Sequence, residues 1–311
     1  MYSLCYKLFY SLNRINKKRK ENGKNYSSFV TFLVGYLEWF YNIPVRKWYE
    51  NHPSKKNMLN KKHRDQKIIV SFTSYPKRIK DVWLVVETLL RQSLKPDMII
   101  LWVAKSQFNS LDELPARLVA LQKCGLTIRF CDDLRSHKKY FYVMQEYPND
   151  LIVLVDDDTF YSKDLLKELI KYHKKYPKDI ISMTSALITD VRDLPSQWRS
   201  PRCDERLIHS YYAQPYSGQG TLYPPHCLDE RIAFDKDKIM HLCPYADDLW
   251  LKLMSMRNGT TVSVIYKFRC IPVTIYGTTE SSLYYINAEQ GKNDEQWKNL
   301  LNYYGEDIKN D

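Results

Sequence analysis

A chain of 311 residues, 44% of them hydrophobic and 14% aromatic, is long enough to bury one substantial α/β core, and nothing in its length demands two. The formal charge of +11 suggests a polyanionic partner until the charge is located. Residues 1–66 carry 14 Lys and Arg against 4 Asp and Glu, so the rest is almost neutral, which excludes a nucleic-acid-binding face there and points to a basic N-terminal device.

Cys5, Cys124, Cys131, Cys203, Cys227, Cys243 and Cys270 are odd in number, scattered and without a Cys-x-x-Cys pair. They read as reduced thiols, which makes a cytoplasmic compartment the expectation and disfavours a structural zinc site. No signal peptide is expected, since neither an uninterrupted apolar run nor a small-residue cleavage site is visible before the basic cluster Lys17–Lys20.

Phe29, Phe32, Leu33, Tyr36, Phe40 and Ile43 recur at helical spacing, with Ser28, Thr31, Gly35 and Glu38 largely on the other side. The segment is too short and too polar to span a bilayer. Its flanking charge favours an anionic membrane surface on the inner face of the plasma membrane, while packing on the body would bury the same stripe. Residues 1–66 therefore read as a basic, partly helical extension, 67–300 as the catalytic domain and 301–311 as a tail.

From Lys67 the pattern alternates. Ile68–Phe72, Met98–Val103, Leu126–Phe130 and Leu151–Val155 read as strands, and Val82–Arg91, Pro115–Cys124 and Lys138–Tyr147 as helices. Such alternation implies βαβ units and an α/β fold whose central sheet is mainly parallel and flanked by helices. No Gly-x-Gly-x-x-Gly follows the first strand, which disfavours a dinucleotide-binding fold. Between Leu194 and Pro225 the period is lost and long loops over a site are expected. Helix resumes at Asp247–Arg257, and Asn293–Gln296 opens a last helix after Gly291.

The fourth strand ends in Asp156, Asp157 and Asp158. Three adjacent carboxylates repel one another, and at a strand end they suit Mg²⁺ or Mn²⁺ shared with a substrate's phosphates. A cap for the helix expected to start at Ser162 accounts for one acid and leaves two. Asp247 and Asp248 form a second acidic pair, at a helix start. There the dipole lowers a carboxylate's pKa and an acidic neighbour raises it, although plain capping is the common use of such a pair.

Taken together, Thr73-Ser-Tyr-Pro-Lys-Arg78, the Asp cluster, Ser217-Gly-Gln-Gly-Thr-Leu-Tyr-Pro-Pro225 and Asp247-Asp248 resemble, in their order, a bacterial GT-A glycosyltransferase. The likeness is to family 2-like enzymes of surface or capsular polysaccharide synthesis and covers roughly residues 67–300. It implies metal-dependent, inverting transfer of a sugar from a nucleotide-diphosphate donor to an oligosaccharide or lipid-linked acceptor. Asp158, with Asp156, would hold the cation; Asp156 and Asp157 would face the donor. Asp248 would be the general base beside Asp247. Thr73, Ser74 and Tyr75 would border the base and ribose, and Arg78 with Lys77 would meet phosphate.

The same likeness gives Asp132, Lys138 and Lys139 to base or phosphate recognition, and Gly218 and Gly220 to close backbone approach to the sugar. Tyr223 and Trp198 offer flat faces for a pyranose or for the core. A histidine that some GT-A enzymes add to the metal has no counterpart, since none follows His241. The alternatives are a Mg²⁺-dependent phosphatase of the haloacid-dehalogenase type, whose motif fails by one position at Phe160, and a non-enzymatic membrane-docked binding protein.

Overall fold

The computed structural model describes residues 27–198, 207–265, 273–278 and 291–305. The cluster Lys17–Lys20, Cys5, Cys203 and Cys270 lie outside the described residues, as does the side chain of Phe32. The chain divides into two compact units, one of residues 1–53 with 274–279 and one of residues 54–273 with 280–311.

The first unit is built on α1 (Ser28–Asn51), opened by Ser27, whose hydroxyl accepts from Val30 N–H at 3.4 Å. Asn42, buried on this helix, donates to the Thr274 carbonyl at 3.2 Å and accepts from Tyr276 N–H at 2.8 Å. One side-chain amide thus satisfies two backbone groups, the use to which a buried asparagine must be put.

In the second unit, β1 (Ile68–Thr73), α2 (Val82–Leu90), β2 (Met98–Ala104), α3 (Ala116–Ala120), β3 (Leu126–Cys131), α4 (Lys138–Glu146) and β4 (Leu151–Val155) alternate as the apolar runs predict. The runs Ile-Ile-Val and Leu-Ile-Val-Leu-Val are buried because helices cover both sheet faces, the environment that parallel strands require. Thr159–Phe160 forms the short strand β5, followed by α5 (Leu165–His173). Then come β6 (Ile180–Ser182), β7 (Ser185–Leu187), β8 (Ala213–Pro215) and β9 (Gln219–Tyr223). The helices α6 (Glu230–Ala233), α7 (Lys236–Leu242) and α8 (Asp247–Arg257), the strand β10 (Val262–Val264) and α9 (Lys292–Tyr304) complete the described elements used below.

Among the described residues the main sheet runs β10-β6-β9-β4-β1-β2-β3. Every pairing is parallel except those of β9, which runs antiparallel to both β4 and β6. The expected α/β class with a mainly parallel sheet is the observed one. Three local expectations change. Gln219–Tyr223 is a central strand, not part of a loop. The third helix closes in a 3-10 turn, Leu121–Cys124. Asp164, not Ser162, precedes α5, while the Ser162 hydroxyl accepts from Asp164 N–H at 3.4 Å.

Residues 54–66 belong to the sheet-bearing unit. Ser54 donates through N–H and hydroxyl to the buried Glu87 carboxylate at 3.0 and 2.7 Å, and Arg64 meets Asp97 at 2.7 Å.

Candidate active site

Because β1 and β4 are parallel neighbours, the segments leaving their carboxyl ends share one sheet edge. Thr73 closes β1 by donating its hydroxyl to the Trp102 carbonyl at 2.8 Å. Ser74, buried, donates to Asp157 Oδ2 at 2.5 Å. One turn on, Arg78 Nη1 lies 2.7 Å from Asp157 Oδ1 and 3.0 Å from Asp158 Oδ2, with Tyr75 flanking its guanidinium at 5.8 Å. The cation that three adjacent acids require is here partly the chain's own. Burial works against the charge on Arg78, but Asp157 and Asp158 outweigh it and the guanidinium holds its proton more tightly.

Lys139 is the second internal cation. Its ammonium is buried, 3.1 Å from Asp156 Oδ1 and 2.8 Å from Asp247 Oδ2, so it ties the end of β4 to the start of α8. Its backbone is fixed from the sheet: Ser71 Oγ donates to the Lys139 carbonyl at 2.5 Å and accepts from Trp102 Nε1 at 3.0 Å. Burial again opposes the charge, and Asp156 and Asp247 more than compensate. Beneath it sits buried His137, whose Nε2 faces the Cys243 carbonyl at 2.7 Å and must therefore carry hydrogen. Burial pushes its pKa down to about 4, so the ring is neutral.

Around these two cations stand five carboxylates. Burial pushes Asp157 up against the pull of Arg78, and burial with Asp156 and Asp157 nearby raises Asp158 to about 6. Asp247 titrates low despite burial because Lys139 stabilises its charge. Half-buried Asp248 is raised to about 7 by desolvation and by Asp247. Ser217 holds this pair, its N–H donating to Asp248 Oδ1 at 2.9 Å and its hydroxyl to Asp247 Oδ2 at 3.2 Å. Two neighbouring acids are thereby pushed apart in pKa, the pattern that separates a permanently ionised group from one able to take a proton near neutrality.

Gly218 permits the close approach of the β9 segment to Asp156: a Cβ there would lie 1.7 Å from Asp156 Oδ2. Asp156 N–H bonds the Gly218 carbonyl at 3.1 Å, and the buried Tyr161 hydroxyl donates to that same carbonyl. Gly220 has φ +100°, a left-handed conformation that glycine adopts without strain.

The remaining sequence-named residues lie elsewhere or are otherwise engaged. Asp132 is exposed and pairs with Lys236 at 2.8 Å. Lys138 is buried against Asp133 at 2.5 Å, which leaves Lys139 as the one of the two lysines that reaches the acids. Tyr223 belongs to the core at 1% exposure and presents no face to a sugar. Trp198 packs edge-on against Trp297, ring centroids 5.1 Å apart. Asp294 accepts from the N–H and hydroxyl of Ser196 at 2.9 and 2.6 Å. Ser217, Tyr161 and His137 are contributors whose roles no local pattern announces.

Among the described residues, no three His, Cys, Asp or Glu side chains converge as a metal cage. The donor set still fits a hard dication. Asp156 and Asp158 are the carboxylates that would hold it, shared with the chain's own groups, since Lys139 meets Asp156 and both Arg78 and the Thr159 hydroxyl meet Asp158. A Mg²⁺ or Mn²⁺ ion takes one or two carboxylates and fills its shell with water and phosphate.

No protein-family model matches the chain, and no curated protein matches it. Solved structures with some likeness include S. aureus TarS 1-349, at 13% identity over 78% of this chain and 72% of that one, with a TM-score of 0.46. A mannosyltransferase from Pyrobaculum calidifontis, in complex with GDP-Man and Mn²⁺, has 8% identity over 97% and 87%, also at 0.46. A 4-diphosphocytidyl-2C-methyl-D-erythritol synthase has 10% identity over 72% and 100%, at 0.42. At such identities and scores the likeness carries no statement about the reaction; the geometry of the site must do that.

Proposed function

We propose that the protein is a metal-dependent glycosyltransferase that moves a sugar from a nucleotide-diphosphate donor to a saccharide acceptor with inversion. The observation that carries this reading is the convergence, at the carboxyl edge of a parallel sheet, of the acids ending β4 with the acid pair opening α8. Asp158 and Asp156 would hold the dication, whose part is to neutralise charge on the departing diphosphate. Asp157 keeps Arg78 in place, and Ser74 keeps Asp157 in place. Arg78 and Lys139 put fixed positive charge beside the region where a diphosphate would lie, a stabilisation that needs no reorganisation.

Asp248 would take the proton of the attacking acceptor hydroxyl. Raised to about 7, it is basic enough to accept a proton and ionised enough near neutrality to be ready. Asp247, held ionised by Lys139, keeps that value from falling. The resemblance extends the proposal to a lipid-linked acceptor in surface-polysaccharide assembly.

The test is calorimetric titration with UDP- and GDP-linked sugars, with Mn²⁺ and without it. Binding should depend on the metal, and Asp158→Asn should abolish that dependence with the fold intact. Undiminished metal-dependent binding and turnover by the variant would remove Asp158 from the metal site.

A further inference from the structure

The helical spacing of aromatic residues in α1 leaves two coverings open, protein or lipid. In the structure the opposite side of the helix is the packed one: Val30 and Tyr41 are buried, and Asn42 spends its amide on Thr274 and Tyr276. The aromatic side faces outward, with Phe29 69%, Tyr36 49%, Trp39 44%, Phe40 44% and Ile43 36% exposed. At ~100° per residue, Phe29, Tyr36, Phe40 and Ile43 fall within about 60° of one line along the helix. Tyr36 stacks on Phe40 with centroids 6.1 Å apart and lies 6.0 Å from Trp39, so these three rings form a plate, with Phe29 and Ile43 on the same line of the helix. From residue 29 to 43 that line extends about 21 Å. A single exposed ring needs no explanation, but a contiguous plate does.

Two observations select the occupant. Exposed Lys47 continues the line of the plate, and residues 1–53, which include the sequence cluster Lys17–Lys20, hold 9 Lys and Arg against 3 Asp and Glu. A second copy would bring the same positive segment against itself, whereas an anionic surface complements it. Tyrosine and tryptophan have an apolar body and a polar tip, which suits the boundary between headgroups and acyl chains. Among the described residues no helix is long and apolar enough to cross a membrane.

We infer that α1 lies in the plane of an anionic membrane surface, its Phe29–Tyr36–Trp39–Phe40–Ile43 face embedded at the headgroup boundary and Lys47 directed to lipid phosphates. The inference stands on this helix and the basic sequence before it, and is independent of the reaction proposed for the sheet-bearing unit.

Full-length protein is sedimented with vesicles of phosphatidylcholine, with and without phosphatidylglycerol. Binding should require the anionic lipid. Tyr36→Ser/Trp39→Ser/Phe40→Ser should weaken it on the order of tenfold or more through lost apolar burial. Lys47→Gln should weaken it about fivefold, the equivalent of roughly 1 kcal/mol per basic residue. Lipids brominated near the headgroup should quench tryptophan emission of the unaltered protein, and Trp39→Phe should lower the quenched fraction. Unchanged vesicle binding by the triple variant overturns the inference. So does a dimer in solution that the triple variant converts to monomer, because the plate is then covered by a second copy. Donor binding should be unaffected by the triple variant throughout, which separates this result from any failure of the transferase reading.

Discussion

Asp248 is the residue on which the proposed chemistry turns, and its environment makes the pH dependence specific. A base works only when ionised, so kcat/KM should climb with pH through about 7 and then level. Asp248→Asn should remove that limb and lower kcat by about 10²-fold or more, with donor affinity nearly unchanged. Stability should move the other way. Its folded pKa of about 7 lies above that of an ordinary carboxylate, so the contribution is present in acid and lost as pH rises through 7. Asp248→Asn should therefore melt at or above the temperature of the unaltered protein at pH 8. A collapse of donor affinity in the variant would reassign the residue to the donor side.

The acids of this site were legible because each cluster is contiguous and stands at the boundary of a periodic element. Their partners were not. Arg78 and Asp157 are 79 residues apart, and Lys139 meets an acid that follows it by more than 100 positions. Charge balance across such distances has no local signature. Nor does the difference between Lys138 and Lys139, which are adjacent in sequence yet point at different carboxylates.

At the scale of elements, the four strands from Ile68 to Val155 could be read because each is an apolar run closed by turn residues. The central strand β9 could not, since it carries Gly220 and is followed by two prolines, all marks of a loop. Its antiparallel place beside β4 brings Gly218 against Asp156. Gly218→Ala should therefore force either the strand entrance or the carboxylate to shift, at a cost of about 1–3 kcal/mol, and should weaken donor binding. Adding Asp156→Ala should restore most of the stability and none of the binding, a coupling that a double-mutant cycle measures. Additive stabilities would mean that the two residues do not meet in solution.

The basic N-terminal stretch of the whole molecule straddles the boundary between its two units, with Lys55, Lys56, Lys61, Lys62 and Arg64 on the side of the larger one. The larger unit begins at residue 54, and Ser54 and Arg64 are already tied to Glu87 and Asp97 within it. Removal of residues 1–53 takes away α1 and the basic cluster before it while sparing those ties. The expected product is a folded protein that has lost six of the eleven net positive charges, binds a nucleotide-sugar with Mn²⁺ as the full chain does and no longer sediments with anionic vesicles. Attachment of the full chain should also fade with salt, because the screening length falls from about 10 Å at 0.1 M to about 3 Å at 1 M. The aromatic plate is insensitive to screening, so some binding should persist at high salt until Trp39 and Phe40 are replaced. If the truncated chain cannot fold, or keeps its hold on vesicles, the membrane contact belongs to the sheet-bearing unit and the division of labour between the two units is wrong.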